Sequence, residues 1–196
     1  MRVFFAGTPD IALPSLAKLS SEHEVVGVLT NPDRRSGRGM GVSCCPVKLK
    51  ADELGLTTFQ PEALDEGFIE EVRSLKPEVL AVTAYGRIFK KDFLDIFPQG
   101  GLNVHPSLLP EYRGASPIQS ALLSGDSETG ISVQRLAQKM DSGQILAQET
   151  YTYKGFETAG WLTGYFAERG GVLLSRVINE IENGEASEVE QDETKA

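Results

Sequence analysis

The chain has 196 residues, with 19 Lys and Arg against 28 Asp and Glu for a formal charge of −9, and 40% of its residues are apolar. That length holds one full domain and excludes a multi-domain machine, while the apolar share excludes wholesale disorder. The acidity excludes a surface given over wholly to phosphate binding, which needs concentrated Lys and Arg.

Met1-Arg2-Val3-Phe4-Phe5-Ala6 enters an apolar strand at once, without the pattern of a secretory signal, and no run reaches the roughly 18 apolar residues of a membrane span. The two cysteines, Cys44 and Cys45, are adjacent, which suits neither a structural disulfide nor a metal framework and fits a reducing compartment. The expectation is a cytoplasmic monomer without metal and without membrane contact. Short apolar runs alternate with helix-length segments, the pattern of βα units and a mainly parallel sheet. Strands are expected near residues 2–6, 24–30, 56–59, 78–84 and 101–105, rich in Val, Leu and Phe as burial on both faces requires. Helices are expected near 10–20, 46–55, 64–75, 90–97 and 115–124, the first with Asp10 as its N-cap. Two later β-prone runs, Ile131-Ser132-Val133-Gln134 and Ile145-Leu146-Ala147-Gln148, predict strands joined without a long helix. Leu162, Phe166, Leu173, Val177 and Ile181, at intervals of 4, 7, 4 and 4, mark one face of a long amphipathic helix that Gly184 terminates.

The fold class expected is therefore α/β, a Rossmann-like open and mostly parallel sheet flanked by helices, in a single domain over residues 1–184. Residues 185–196, with five acids and one Lys, read as the start of an acidic linker. Charge is segregated along the chain. Between Asp33 and Lys50 lie Arg34, Arg35, Arg38 and Lys48, in a stretch read as a basic loop followed by a helix.

In an open parallel sheet, ligands bind beyond the carboxyl ends of the strands. Gly7-Thr8-Pro9-Asp10 follows the first strand, but it lacks the glycine spacing of a dinucleotide loop and Pro9 removes an amide, so it reads as a tight strand-to-helix turn. Asn103 and His105 alternate with apolar residues at another strand end, and period-two geometry puts both on one face. A carboxamide donor and a titratable imidazole then converge on one ligand; the same spacing also suits a hydrogen-bonded structural histidine. Asp141, before Ser142-Gly143, either orients His105 or forms a surface Asx turn.

Asn103-Val104-His105-Pro106-Ser107-Leu108-Leu109-Pro110-Glu111-Tyr112-Arg113-Gly114, followed by Asp126, Thr129-Gly130 and Asp141-Ser142-Gly143, resembles the 10-formyltetrahydrofolate-dependent formyltransferase family. Within it, Phe5 to Asp10, Asn31 to Gly39 and Cys45-Pro46-Val47-Lys48 are similar to the members that act on methionyl-tRNA, and the likeness covers nearly the whole chain. The resemblance implies the formyltransferase fold, with Asn103, His105 and Asp141 as catalytic residues. It implies that Tyr85, Arg87, Ile88, Phe89, Ser107, Leu108, Leu109 and Pro110 hold the reduced folate. It also implies that initiator methionyl-tRNA is met by Gly7, Thr8, Pro9, Asp10, Arg34, Arg35, Arg38 and Lys48.

Formyl transfer to an amine asks for a donor to the developing oxyanion, which suits Asn103, and for proton transfer near neutrality, which suits His105 oriented by Asp141. Neither cysteine belongs to this constellation, so direct transfer without a covalent enzyme intermediate is expected. Ile11 departs from the aromatic residue common in the members acting on transfer RNA. Those members continue into a C-terminal RNA-binding barrel that this sequence lacks, which reads as a fragment. Two other functions suit the same residues: formylation of an amino sugar or other small amine, and folate binding without turnover.

Overall fold

The structure, a computed structural model, describes residues 1–36 and 41–196, with the backbone alone for residues 34–36 and 41–43. It is a single α/β domain in which a main sheet of seven strands, most of them parallel, is flanked by helices. The chain clusters into two compact units, Met1–Gly101 and Leu102–Ala196.

The first unit runs β1 (Arg2–Gly7), α1 (Leu13–Glu22), β2 (Glu24–Leu29), β3 (Arg34–Ser36), β4 (Gly41–Ser43), α2 (Pro46–Glu53), β5 (Thr58–Phe59), α3 (Glu66–Ser74), β6 (Val79–Thr83) and α4 (Lys91–Leu94). β1 lies between β2 and β6, parallel to both, and β2 pairs in parallel with β5. Val3, Phe4, Phe5 and Ala6 are wholly buried, which is why β1 reads as an unbroken apolar run. The Phe4 ring meets those of Phe59, Phe93 and Phe97 at centroid distances of 5.9, 6.3 and 6.1 Å. Gly7 ends the strand where a Cβ would stand 2.8 Å from that of Ala12 and 2.9 Å from the Thr83 carbonyl, so close packing requires glycine there.

Three local expectations are corrected. Asp10 caps no helix: Asp10–Ala12 form a 3₁₀ turn, the Ala12 N–H donates to the Pro9 carbonyl at 3.0 Å, and α1 begins only at Leu13. The helix expected over 90–97 is the four-residue α4, because the chain tightens into i→i+3 bonds, Ile96 to Phe93 and Phe97 to Leu94, just before Pro98. The basic loop contains an antiparallel ribbon, β3 with β4, in register Arg34↔Ser43, Arg35↔Val42 and Ser36↔Gly41. Arg38 lies outside the described residues.

The second unit carries β7 (Gly101–His105), α5 (Pro117–Ser124), β8 (Glu128–Arg135), β9 (Ile145–Thr152) and α6 (Ala159–Asn183). β7 pairs antiparallel with β8, and β8 with β9. Leu162, Phe166, Leu173 and Val177 are buried on α6 as their spacing predicts, and Gly184 ends the helix at a φ of 72°. Gly170 lets the helix approach Val104 and Ile131, whose side chains would stand 2.8 and 2.9 Å from a Cβ. Beyond the helix, the acidic segment lies along the start of β9. Ile145 and Val189 exchange two backbone hydrogen bonds of 2.8 and 2.9 Å. Glu188 pairs with Arg135, Glu190 accepts from Gln144, and Glu193 meets Arg113 and Lys139.

Candidate active site

The β7–β8 ladder places Asn103 opposite Gln134 and His105 opposite Ser132, and on the far side of β8 Gln148 of β9 faces Ser132. Directly opposed residues share a face of a sheet. These five polar side chains therefore form one patch on one face, while the alternate residues Leu102, Val104, Ile131 and Val133 point to the opposite face and are buried apolar.

His105 is 4% exposed. Its Nε2 lies 2.9 Å from the Tyr112 carbonyl, which can only accept, so Nε2 carries a hydrogen and donates it. Nδ1 is then the nitrogen that gains or loses a proton, and it faces Asp141 Oδ2 at 3.6 Å. That distance exceeds hydrogen-bond reach while keeping the carboxylate inside the range of strong charge interaction. The structural and the chemical readings of His105 thus divide between its two nitrogens.

Asp141 does not form an Asx turn. Its Oδ1 accepts from Gln134 Nε2 and its Oδ2 from the Gly114 N–H, each at 2.9 Å. Both bonds reach outside the turn, and together they fix the carboxylate against rotation. Asp141 has a φ of 50° and Tyr112 a φ of 56°. Both residues that face the imidazole thus hold left-handed backbone conformations, which cost of order 1–3 kcal/mol each and persist only where the surroundings over-determine them. Gly143 completes the turn because a Cβ there would lie 1.9 Å from the Arg135 carbonyl.

Asn103 differs from its neighbours. It is half-buried, and among the described residues its carboxamide has no hydrogen-bond partner. Its donors are therefore free to meet a ligand oxygen.

The segment after His105 is tied to the same patch by backbone bonds. Ser132 Oγ accepts from the Leu109 N–H at 3.1 Å and donates to the Ser107 carbonyl at 2.7 Å. Gln148 Nε2 donates to the Leu109 carbonyl at 3.0 Å, and Ser107 Oγ donates to the Glu111 carbonyl at 2.6 Å. Of the residues expected to hold folate here, Ser107 and Leu109 turn inward, and Leu108 and Pro110 are half-buried. Leu108 packs where Gly130 leaves room, its Cδ2 only 2.4 Å from where a Cβ would stand.

In the first unit, Tyr85 is buried and stacks on Phe89 at 5.2 Å, and burial pushes its phenol pKa up. Arg87 donates to the carbonyls of Pro61 and Glu62 at 3.1 and 2.8 Å, and Ile88 is 84% exposed. Thr8 Oγ1 accepts from Asn31 Nδ2 at 3.0 Å, and Asn31 also donates to the Tyr85 carbonyl at 2.9 Å. Lys48 is not a free cation. Its Nζ lies 2.6 Å from Asp33 Oδ2, a bond that lowers the Asp33 pKa, with Gln60 assisting, and raises that of Lys48. Cys44 and Cys45 are free thiols, and Cys45 Sγ accepts from the Lys48 N–H at the start of α2.

Sequence reasoning missed Ser132, Gln134, Gln148, Tyr112 and Gln191. A signal was available for two of them, since Ser132 and Gln134 occupy alternate positions of a run read as a strand. Among the described residues no group of His, Cys, Asp and Glu is placed to hold a metal ion, and no helix is long and apolar enough to cross a membrane.

A histidine with one nitrogen committed, a carboxylate held at both oxygens in the neighbouring turn and an unpartnered carboxamide together have the chemistry to move a proton beside a developing negative charge. The chain matches the formyl transferase family over residues 1–178, and it belongs to that family. It is 46% identical over 196 residues to a methionyl-tRNA formyltransferase of Borrelia duttonii, covering 100% of this chain and 63% of that protein. It is 44% identical to one of Bifidobacterium adolescentis, covering 97% of this chain and 61% of the relative. The chain thus spans less than two thirds of the length of these relatives.

Solved structures share the fold. A phosphoribosylglycinamide formyltransferase from Streptococcus pneumoniae superposes with a TM-score of 0.77 at 18% identity, covering 92% of this chain and 98% of its own. An N-formyltransferase from Helicobacter canadensis, solved with folinic acid and dTDP-3-aminofucose, gives 0.76 at 21% identity, covering 100% of this chain and 69% of its own.

Proposed function

We propose that this protein transfers a formyl group from 10-formyltetrahydrofolate to the α-amino group of initiator methionyl-tRNA. The observation that carries the reading is the face shared by Asn103 and His105, with Asp141 3.6 Å from the free imidazole nitrogen. The names and identities of the full-length relatives support the acceptor.

The folate supplies a formyl carbon activated by a nitrogen that leaves once protonated. Asn103 donates its unpartnered amide hydrogens to the formyl oxygen as negative charge develops there. Removing such a donor typically costs about 10²–10³ in rate. Nδ1 of His105 is the nitrogen free to exchange a proton, because Nε2 is committed to Tyr112. Asp141, held at both oxygens, stabilises the charged ring and offers a carboxylate that takes the proton the attacking amine must lose. The Nδ1 to Oδ2 gap leaves both atoms unbonded to each other and able to serve a third group. Ser107 to Pro110, fixed through Ser132 and Gln148, supply backbone groups and apolar surface to the folate. Gly7 to Asp10, the arginines of the β3–β4 ribbon and Lys48 serve the acceptor. On this reading the protein works without metal as a cytoplasmic monomer at translation initiation, with reduced folate and initiator methionyl-tRNA as its partners.

The deciding experiment offers 10-formyltetrahydrofolate with three amines in turn: initiator methionyl-tRNA, a dTDP-linked amino sugar and glycinamide ribonucleotide. Formylmethionyl-tRNA is the expected product. Formylation of the sugar or the ribonucleotide alone would replace the acceptor, and folate binding without any product would leave a binding module.

A further inference from the structure

The acidic segment after α6 sends one side chain into the interior. Gln191 is 9% exposed, and its Nε2 donates to the carbonyls of Asp141 and Gly143 at 2.9 and 2.7 Å, with Gln134 Oε1 at 3.3 Å. Its Oε1 accepts from Nε and Nη2 of Arg113 at 3.0 and 2.7 Å. Arg113 stands between Tyr112, whose carbonyl holds Nε2 of His105, and Gly114, whose N–H holds Oδ2 of Asp141. One carboxamide therefore links the turn that grips one ring nitrogen to the turn that carries the carboxylate facing the other.

The chemistry of the link requires an amide. The 141–143 turn offers carbonyls, which need donors, and Arg113 offers N–H groups, which need an acceptor. Glu would satisfy Arg113 and place a carboxylate against two carbonyls; Lys would do the reverse. The side chain is held in place on both sides. Val189 is bridged to Ile145 two residues before it, and Glu193, two residues after it, pairs with Arg113 and Lys139. Those two cations, Arg113 first, hold the Glu193 carboxyl down at about 2, so the clasp is charged near neutral pH.

We infer that Gln191 is a positioning residue that sets the separation of His105 and Asp141. It touches no reacting atom and acts through the Asp141 carbonyl and Arg113. Its effect on turnover rests on the proposed formyl transfer, whereas its effect on the imidazole does not.

The test uses the whole chain with Gln191→Met, which keeps the length and volume of the side chain without its hydrogen bonds, and Gln191→Glu, which keeps only the acceptor for Arg113. Two readouts are taken: steady-state formyl transfer, and the NMR titration of the two imidazoles, His23 and His105. The charged group facing the His105 ring is Asp141, while Tyr112 presents a neutral carbonyl. A loosened Asp141 stabilises the charged ring less. In both variants kcat is expected to fall at least tenfold with folate KM within about threefold, less than 1 kcal/mol. In Gln191→Met, which adds no charge, the His105 titration is expected to move to lower pH while that of His23 stays.

A lower melting temperature with kcat and the His105 titration unchanged makes Gln191 a structural strap and overturns the inference, as does either change without the other in an active protein. If the parent transfers no formyl group but the His105 titration still moves in Gln191→Met, the proposed function fails and the positioning role stands.

Discussion

Two polar clusters, one in each unit, are built in opposite ways. Around Asp33 in the first unit, side chains bond mainly to one another. Lys48 reaches one Asp33 oxygen and Gln60 the other, with the Lys48 and Asp33 side chains 28% and 18% exposed. Around His105 in the second unit, side chains bond mainly to the backbone of distant turns: Ser132 to Ser107 and Leu109, Gln148 to Leu109, His105 to Tyr112, Asp141 to Gly114. A side chain bonded to another mobile side chain near solvent can exchange its partner for a ligand at little cost. One bonded to a fixed carbonyl cannot move without stranding it. The second cluster has the rigidity that chemistry needs, and the first has the exchangeable charge that suits recognition of a large anionic substrate.

The largest expected effects come from the second cluster. His105→Gln removes the proton-transfer group and lowers kcat by about 10³, within the 10²–10⁴ typical of acid–base catalysts. Asn103→Ala lowers it by about 10². The two separate in stability. His105 is buried and bonded, so its replacement lowers the melting temperature, whereas among the described residues Asn103 has no partner to strand. Kinetics at saturating folate beside thermal melts check both, and near-normal turnover in either variant moves the chemistry elsewhere.

Asp141→Asn comes next, with kcat down about tenfold to a hundredfold. The amide oxygen still accepts from the Gly114 N–H, while the amide nitrogen loses the bond from Gln134 Nε2 and the charge facing Nδ1 is gone. The charged imidazole then loses stabilisation, so the limb of the pH–rate profile set by its titration moves to lower pH. A profile matching the parent in height and position breaks the partnership of His105 with Asp141.

Ser132→Ala sharpens the contrast in a different way, since Ser132 touches no reacting group. It leaves the Leu109 N–H and the Ser107 carbonyl without their partner, a loss of about 1–3 kcal/mol for buried groups. Folate KM is expected to rise three- to tenfold with kcat nearly unchanged. A selective fall in kcat would place Ser132 in the proton path instead.

How much of this was legible in the sequence depends on how far each cause reaches along the chain. β1 and α6 were legible because burial leaves a local period, continuous in Val3 to Ala6 and helical from Leu162 to Val177. Asn103 and His105 share a face by alternation alone. Asp141 is different: its place between two late strands left two readings open, an orienter of His105 or a surface turn, and the family resemblance chose between them. Gln191 bonds to residues 48 to 78 positions away, and no local pattern carries that. Asp10 misled because a good capping residue was outcompeted by a 3₁₀ turn behind Pro9. The helix expected over 90–97 was cut short because its last residues tighten into i→i+3 bonds.

The smallest effect on folding, and a test of the basic segment that adjoins the first cluster, is expected from changing Arg34, Arg35 and Arg38 together to Ala. Arg34 and Arg35 lie on β3, paired in backbone register with Ser43 and Val42. From the sequence reading of a solvated basic loop, folding stability is expected to change by no more than about 0.5 kcal/mol per site. On the proposed function the arginines of this segment meet phosphates of the acceptor; each such contact releases counterions, so their loss is expected to weaken transfer-RNA binding and flatten its dependence on salt. With initiator methionyl-tRNA as substrate, kcat/KM is expected to fall while folate affinity stays within about threefold. Lys48 is spared in this variant because its charge is matched by Asp33, and removing it would leave that carboxylate unpaired. Kinetics at several salt concentrations decide the matter. If the parent and the triple variant give parallel salt plots of equal height, the ribbon contributes no phosphate contacts. The ribbon then has no role in recognising RNA, and the acceptor shifts toward a small amine.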